Sequence, residues 1–213
     1  MNAWLALLRK HRAIAVIRSR NSSCAHRLAL AAAAGDLRLL EITWDTPGVE
    51  RLVPRLRQEL PDCVIGVGTL LNRGMLEQAL ACGAQFCFSP HTDLELIAIA
   101  NAAGIPLVPG ALTPTEIVRA WQGGASSVKV FPAGSVGGPA YVQSLQGPLG
   151  SIPLVPTGGI TMENAAAFLQ AGAIAVGLAG SLFPKSLVAA QDWHRIAERC
   201  RCLAQSLQNK NRA

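Results

Sequence analysis

Apolar residues in this chain fall into short, nearly unbroken runs, and between the runs they recur at the spacing of one helix face. The runs lie at 13–18, 38–43, 63–67, 85–88, 106–108, 126–131, 153–156 and 173–177, and most are rich in Val, Ile, Leu or Ala. Continuous apolar character without polar alternation is expected of strands covered on both faces, as in parallel sheets. Amphipathic stretches near 23–34, 47–60, 72–82, 93–103, 114–122, 138–146, 161–170 and 191–208 read as the helices between and after them. Thr113-Pro114-Thr115-Glu116 and Thr161-Met162-Glu163-Asn164 carry helix-start chemistry, and Gly35, Gly83, Gly104, Gly123 and Gly172 mark helix ends.

A strand–helix unit repeated eight times, at roughly 25 residues each, predicts an α/β fold of the (β/α)8 TIM-barrel class. The boundaries are a single domain over 1–213, with an N-terminal helix at 1–12 and a polar tail at 208–213 expected to fray. A doubly wound open sheet is the alternative, but its first strand should lead into a GxGxxG turn, and Ser19-Arg20-Asn21-Ser22 stands there instead.

Composition narrows the function classes. The chain has 213 residues, half of them hydrophobic, and a formal charge of +6. The basic residues are scattered and no basic–aromatic cluster forms, so small anionic metabolites fit this charge better than nucleic acid does. No apolar stretch has the length of a membrane span, and the N-terminus lacks a signal-peptide pattern. Six cysteines without CxxC spacing read as reduced thiols of a cytoplasmic protein. The four histidines and the carboxylates show no metal-ligand spacing, so no metal is expected.

Two charges stand inside apolar strands: Glu41 between Leu40 and Ile42, and Lys129 within Val128-Lys129-Val130-Phe131-Pro132. A buried lysine is driven toward its neutral form, which exposes a nucleophilic lone pair. Taken alone, the segment fits better a strand-end lysine reaching solvent, and the pair fits a structural salt bridge. Both residues lie near the C-terminal ends of their strands, however, where a barrel of this kind builds its active site. Other polar residues share those ends: Arg18, Thr43, Thr69, Ser89-Pro90-His91 and Thr157. Gly158 and Gly159 end strand seven, and Gly177, Gly180 and Ser181 follow strand eight, the positions from which barrels commonly bind phosphate through backbone N–H groups.

Six motifs in order then resemble the KDPG/KHG aldolases, class I enzymes that cleave 2-keto-3-deoxy-6-phosphogluconate or 4-hydroxy-2-oxoglutarate. They are Leu40-Glu41-Ile42-Thr43, Gly66-Val67-Gly68-Thr69, Phe88-Ser89-Pro90-His91, Val108-Pro109-Gly110, Val128-Lys129-Val130-Phe131-Pro132-Ala133 and Pro156-Thr157-Gly158-Gly159-Ile160. The resemblance runs from Arg12 to Ser181. It implies that Lys129 forms the Schiff base and that Glu41 is the general acid/base. Thr69 would place the imine and carboxylate, Pro90 and Phe131 would wall the pocket, and Thr157 would contact substrate. Gly158, Gly159, Gly180 and Ser181 would hold a phosphate. It further implies no cofactor, a cytoplasmic homotrimer, and a place in carbohydrate metabolism through the Entner–Doudoroff pathway, with pyruvate and a phosphorylated 2-keto acid as small-molecule partners. One position departs: many members carry an arginine shortly after the glutamate strand, where this chain has Trp44-Asp45-Thr46. Arg18 is expected to supply the anion contact instead.

Rival readings remain. The same imine chemistry could act on 4-hydroxy-2-oxoglutarate or on 2-keto-3-deoxy-6-phosphogalactonate. A non-catalytic phosphate-binding barrel would need neither Lys129 nor Glu41, and an isomerase or epimerase would more naturally use paired carboxylates or a metal.

Overall fold

Nine short strands run parallel in the computed structural model, which describes residues 3–209. They are β1 (Ala13–Ile17), β2 (Leu39–Thr43), β3 (Val64–Gly68), β4 (Cys87–Phe88), β5 (Leu107–Val108), β6 (Gly110–Ala111), β7 (Val128–Val130), β8 (Leu154–Pro156) and β9 (Val176–Leu178). Hydrogen bonding gives the order β5-β4-β3-β2-β1-β9 in one sheet and β6-β7-β8 in the other. A parallel bridge between Thr157 and Gly177 joins β8 to β9, and β5 and β6 are two halves of one strand broken at Pro109. Proline has no N–H to give to a ladder, which accounts for the break, while the Pro109 carbonyl still accepts from Lys129 N at 2.9 Å. Counted this way, eight strand positions close a barrel, as the periodicity of the sequence predicts.

Strand alternation sorts the side chains into two cores. Inside the barrel pack Ile14, Val16, Leu39, Phe86, Phe88, Val108, Val155 and Ala175. Outside it, Ala15, Ile17, Leu40, Ile42, Ile65, Val67, Val128 and Val130 pack under the helices. Glu41 and Lys129 have the parity of the interior set. The first of these helices, α1 (Ala3–His11), plugs the barrel: Trp4 and Leu8 are buried, and the Trp4 ring lies 5.1 Å from that of Phe86. Trp4 Nε1 also donates to Ser127 Oγ at 3.1 Å.

The remaining helices are α2 (Ser22–Ala34), α3 (Val49–Glu59), α4 (Arg73–Ala81), α5 (Leu94–Ala102), α6 (Pro114–Gln122), α7 (Pro139–Leu149), α8 (Ala165–Gln170), α9 (Lys185–Ala189) and α10 (Trp193–Asn209). The Thr113–Glu116 capping box opens α6 as expected. At Thr161 the helix starts one turn later than expected. Thr161 and Asn164 exchange side-chain-to-backbone bonds of 3.2 and 2.7 Å, which hold a turn before α8 begins at Ala165. Two elements go unannounced in the apolar pattern, the one-turn 3-10 helix Ala133–Val136 and the five-residue α9. The extreme ends of the expected N-terminal helix (1–2) and frayed tail (210–213) lie outside the described residues.

Candidate active site

The candidate residues lie on the strands or just past their C-terminal ends. Lys129 sits in the middle of β7 and Glu41 in the middle of β2, only 5% and 1% exposed. A glycine on the neighbouring strand creates the space that Glu41 occupies. Glu41 pairs in register with Gly66, and a Cβ placed on Gly68, the next inward position of β3, would stand 1.7 Å from Glu41 Oε1. Lys129 pairs in register with Gly110, where a Cβ would meet the Pro90 backbone at 2.3 Å. Gly68 gives room for a functional side chain rather than an unusual backbone angle.

Burial drives both groups toward neutrality. It pushes the Glu41 carboxyl above the ordinary range, against the opposing pull of Lys129 and Arg18. It pushes the Lys129 amine below its ordinary value, with Glu41 opposing the change and Arg18 reinforcing it. The two shifts agree: an interior that disfavours charge holds a neutral amine beside a protonated acid more readily than water does. Glu41 Oε1 is buried without a hydrogen-bond partner, a costly arrangement for a polar atom. The Lys129 Nζ lies 4.8 Å from the Phe131 ring centroid and 5.5 Å from that of Phe88, close enough for the ring faces to stabilise a cation formed there.

Around this pair the strand ends supply the rim. Arg18, just past β1, reaches across two strands: Nη1 meets Asp45 Oδ2 at 2.9 Å and Nη2 donates to Thr69 Oγ1 at 3.0 Å. Thr69 follows β3 with φ of 63°, a left-handed conformation unusual for a β-branched residue and typical of strained functional positions. Thr157 is 7% exposed, its Oγ1 is buried with no partner, and Gly177 leaves it space, since a Cβ there would lie 2.5 Å from that oxygen. Pro90 and Phe131 line a cavity of about 320 Å³ with His91, Leu112 and Arg119. A larger cavity of about 670 Å³ opens near Arg9, Arg12 and Leu207, and it contains no candidate residue.

The glycines after β8 have a structural duty of their own. Gly158 and Gly159 adopt φ of 83° and 80°, and a Cβ on Gly159 would meet Gly134 Cα at 2.8 Å. Gly134 N donates to Gly158 O at 2.8 Å, so this loop lies tightly on the 3-10 turn that follows Lys129. Gly180 is exposed with open space around its missing side chain. Ser181 ties the last two loops together, its Oγ accepting from Met162 N at 3.3 Å and its carbonyl accepting from Arg199 at 2.8 Å.

Three participants were not singled out for a site role from the sequence: Phe88 beside the amine, Gly68 beside the carboxylate, and Asp45 as the partner of Arg18. Glycine inside a strand is the one signal that could have found Gly68, because it marks a close approach.

The chain is similar to known proteins in both sequence and structure. The family model described as "KDPG and KHG aldolase" matches residues 5–199. A 2-dehydro-3-deoxy-phosphogluconate aldolase from Pseudoalteromonas atlantica is 35% identical over 171 residues, 80% of each chain. The KHG/KDPG aldolase of Escherichia coli K12 is 33% identical over 175 residues, 82% of each. The crystal structure of a KDPG aldolase from Legionella pneumophila, with pyruvate captured as a covalent carbinolamine, superposes with a TM-score of 0.86 at 30% identity. That likeness covers 93% of this chain and 97% of the other. The chain therefore belongs to the KDPG/KHG aldolase family.

Proposed function

We propose that this protein is a class I aldolase that cleaves 2-keto-3-deoxy-6-phosphogluconate into pyruvate and glyceraldehyde 3-phosphate. The observation that carries the reading is the burial of one amine and one carboxyl inside the barrel, both driven toward their neutral forms. A free lysine is neutral in only about one molecule in a thousand or fewer at pH 7, so an interior that lowers its pKa supplies nucleophile that water would not.

Lys129 Nζ attacks the C2 carbonyl, forming a C–N bond and a carbinolamine. Protonated Glu41 donates to the departing hydroxyl, water leaves, and a cationic imine remains facing Phe131 and Phe88. Glu41, now a carboxylate, removes the C4 hydroxyl proton. The C3–C4 bond breaks, its electron pair passing into the imine to give an enamine, and the aldehyde departs. Glu41 returns the proton to C3, and water hydrolyses the imine to release pyruvate and regenerate the amine. Arg18 and Thr69 would hold the substrate carboxylate, Thr157 a substrate hydroxyl, and Pro90 and Phe131 the pocket wall. The backbone N–H groups of Gly158, Gly159, Gly180 and Ser181 would face the phosphate. No step calls for a cofactor. A cytoplasmic homotrimer working in the Entner–Doudoroff pathway is part of the same reading, supported by the family resemblance and, for the compartment, by six cysteines without CxxC spacing; among the described residues no helix is long and apolar enough to cross a membrane.

A second substrate, 4-hydroxy-2-oxoglutarate, is favoured by the likeness to the Escherichia coli KHG/KDPG aldolase. Pyruvate release measured with each substrate tests the proposal and ranks the two. Turnover of the phosphorylated substrate that vanishes in Lys129→Met supports it, and turnover that persists in that variant refutes it.

A further inference from the structure

The cation that borders the catalytic pair is not free. Arg18 Nη1 is held at 2.9 Å by the Asp45 carboxylate, and Nη2 donates to Thr69 Oγ1 at 3.0 Å. The contact joins the end of β1 to the segment after β2, residues 27 apart in the chain, and the backbone on both sides is fixed. Trp44 N donates to Gly68 O at 2.8 Å, and Thr46 N to Thr43 O at 2.9 Å. A guanidinium has five N–H donors in a rigid fork, so two fixed contacts orient the plane and leave other donors for an incoming anion. The same carboxylate offsets part of the charge that would draw that anion in. Orientation and attenuation thus come from one residue.

We propose that Asp45 is a positioning residue that also sets how weakly this mouth holds the carboxylate of a 2-keto acid: it aims Arg18 while offsetting its charge. The inference rests on the aldolase reading, in which that carboxylate lies against Arg18. Both side chains of the pair are about half exposed, at 57% and 49%, so solvent screens the attraction and the pair is readily shared with a ligand. The consequence is an enzyme whose half-saturating concentration of 2-keto acid is raised, with the chemistry at Lys129 left intact.

The two effects separate in two variants. Asp45→Asn keeps an oxygen acceptor for Nη1 and removes the charge, whereas Asp45→Ala removes both. The probe is pyruvate, with imine formation on the intact protein trapped by borohydride and read by mass at a series of pyruvate concentrations and at low and high salt. For Asp45→Asn the half-saturating pyruvate concentration is expected to fall about two- to five-fold at low salt, the scale of an exposed ion pair. That gain should disappear at high ionic strength, where the wild-type value barely moves. Asp45→Ala should gain less than Asp45→Asn, because Arg18 loses its orientation. A half-saturation point in Asp45→Asn equal to or above that of the wild type overturns the role of Asp45 while leaving the aldolase reading standing. No pyruvate adduct in the wild type overturns both.

Discussion

Placing a methyl group on Gly68 should disarm the enzyme without touching either reactive side chain. A Cβ at that position would lie 1.7 Å from Glu41 Oε1, 2.4 Å from its Cδ and 2.8 Å from its Cγ. Ordinary contact needs about 3.5 Å, so the carboxyl group must retreat by roughly 2 Å. Gly68 ends an extended strand and is not among the glycines with positive φ, so alanine fits the backbone and the clash with Glu41 is the perturbation. A proton-transfer group must sit within about 3 Å of its target and contributes roughly 10²- to 10⁴-fold to rate, so Gly68→Ala should lower kcat by about that factor. The overpacked interior should cost about 1–3 kcal/mol of stability, measurable by urea denaturation. In a Glu41→Ala background the same methyl should cost little further rate, because its target is gone. The assay is steady-state pyruvate release for the four proteins of this cycle. Gly68→Ala turning over within about three-fold of wild type would refute both the placement of Glu41 and its assigned role.

Three further outcomes follow from single atoms. Glu41 has its folded pKa raised by burial, so its stabilising contribution is complete below the usual carboxylate value of 4.5 and is lost as pH rises toward the folded value. Denaturation across pH should therefore show wild type losing stability relative to Glu41→Gln over that window, and a constant difference would contradict the raised pKa. Thr157→Val replaces a buried hydroxyl that lacks a partner, so stability should rise by about 1 kcal/mol while kcat/KM falls about ten-fold through loss of the substrate contact; unchanged kcat/KM would remove Thr157 from the site. Gly147 lies inside α7 directly before Pro148, whose ring crowds the Cβ of a helical residue preceding it, so Gly147→Ala should lack the gain of about 0.5–1 kcal/mol usual for alanine over glycine in a helix, read by urea denaturation, with kinetics unaltered.

The barrel was legible in the sequence because a strand covered on both faces leaves an unbroken apolar run, and each of the eight runs holds a strand position. The same property made Glu41 and Lys129 stand out, since a charge interrupting such a run has to be explained. What stayed hidden depends on contacts between distant segments. The Arg18–Asp45 pair crosses two strand ends, and nothing local to Trp44-Asp45-Thr46 announces it. Gly66-Val67-Gly68 reads as a glycine-rich strand, and only the close approach of the Glu41 carboxyl to Gly68, one inward position beyond its register partner Gly66, shows which glycine makes room for it. The Ala133–Val136 turn and α9 are too short to show periodicity, and the 106–108 run stops before Pro109, so that Gly110–Ala111, the second half of that strand, does not show in it. The glycines after β8 carry a double meaning that sequence alone does not resolve. Their left-handed angles and close packing on Gly134 would require glycine whether or not an anion binds there.

The proposed aldol cleavage depends on Lys129 acting as a nucleophile, and borohydride reduction in the presence of pyruvate tests that directly. The intact protein should gain the mass of one reduced pyruvate, and peptide mapping should place it on Lys129 and on none of the other three lysines. A folded protein that takes up no adduct at saturating pyruvate, or carries it on another lysine, would contradict the account.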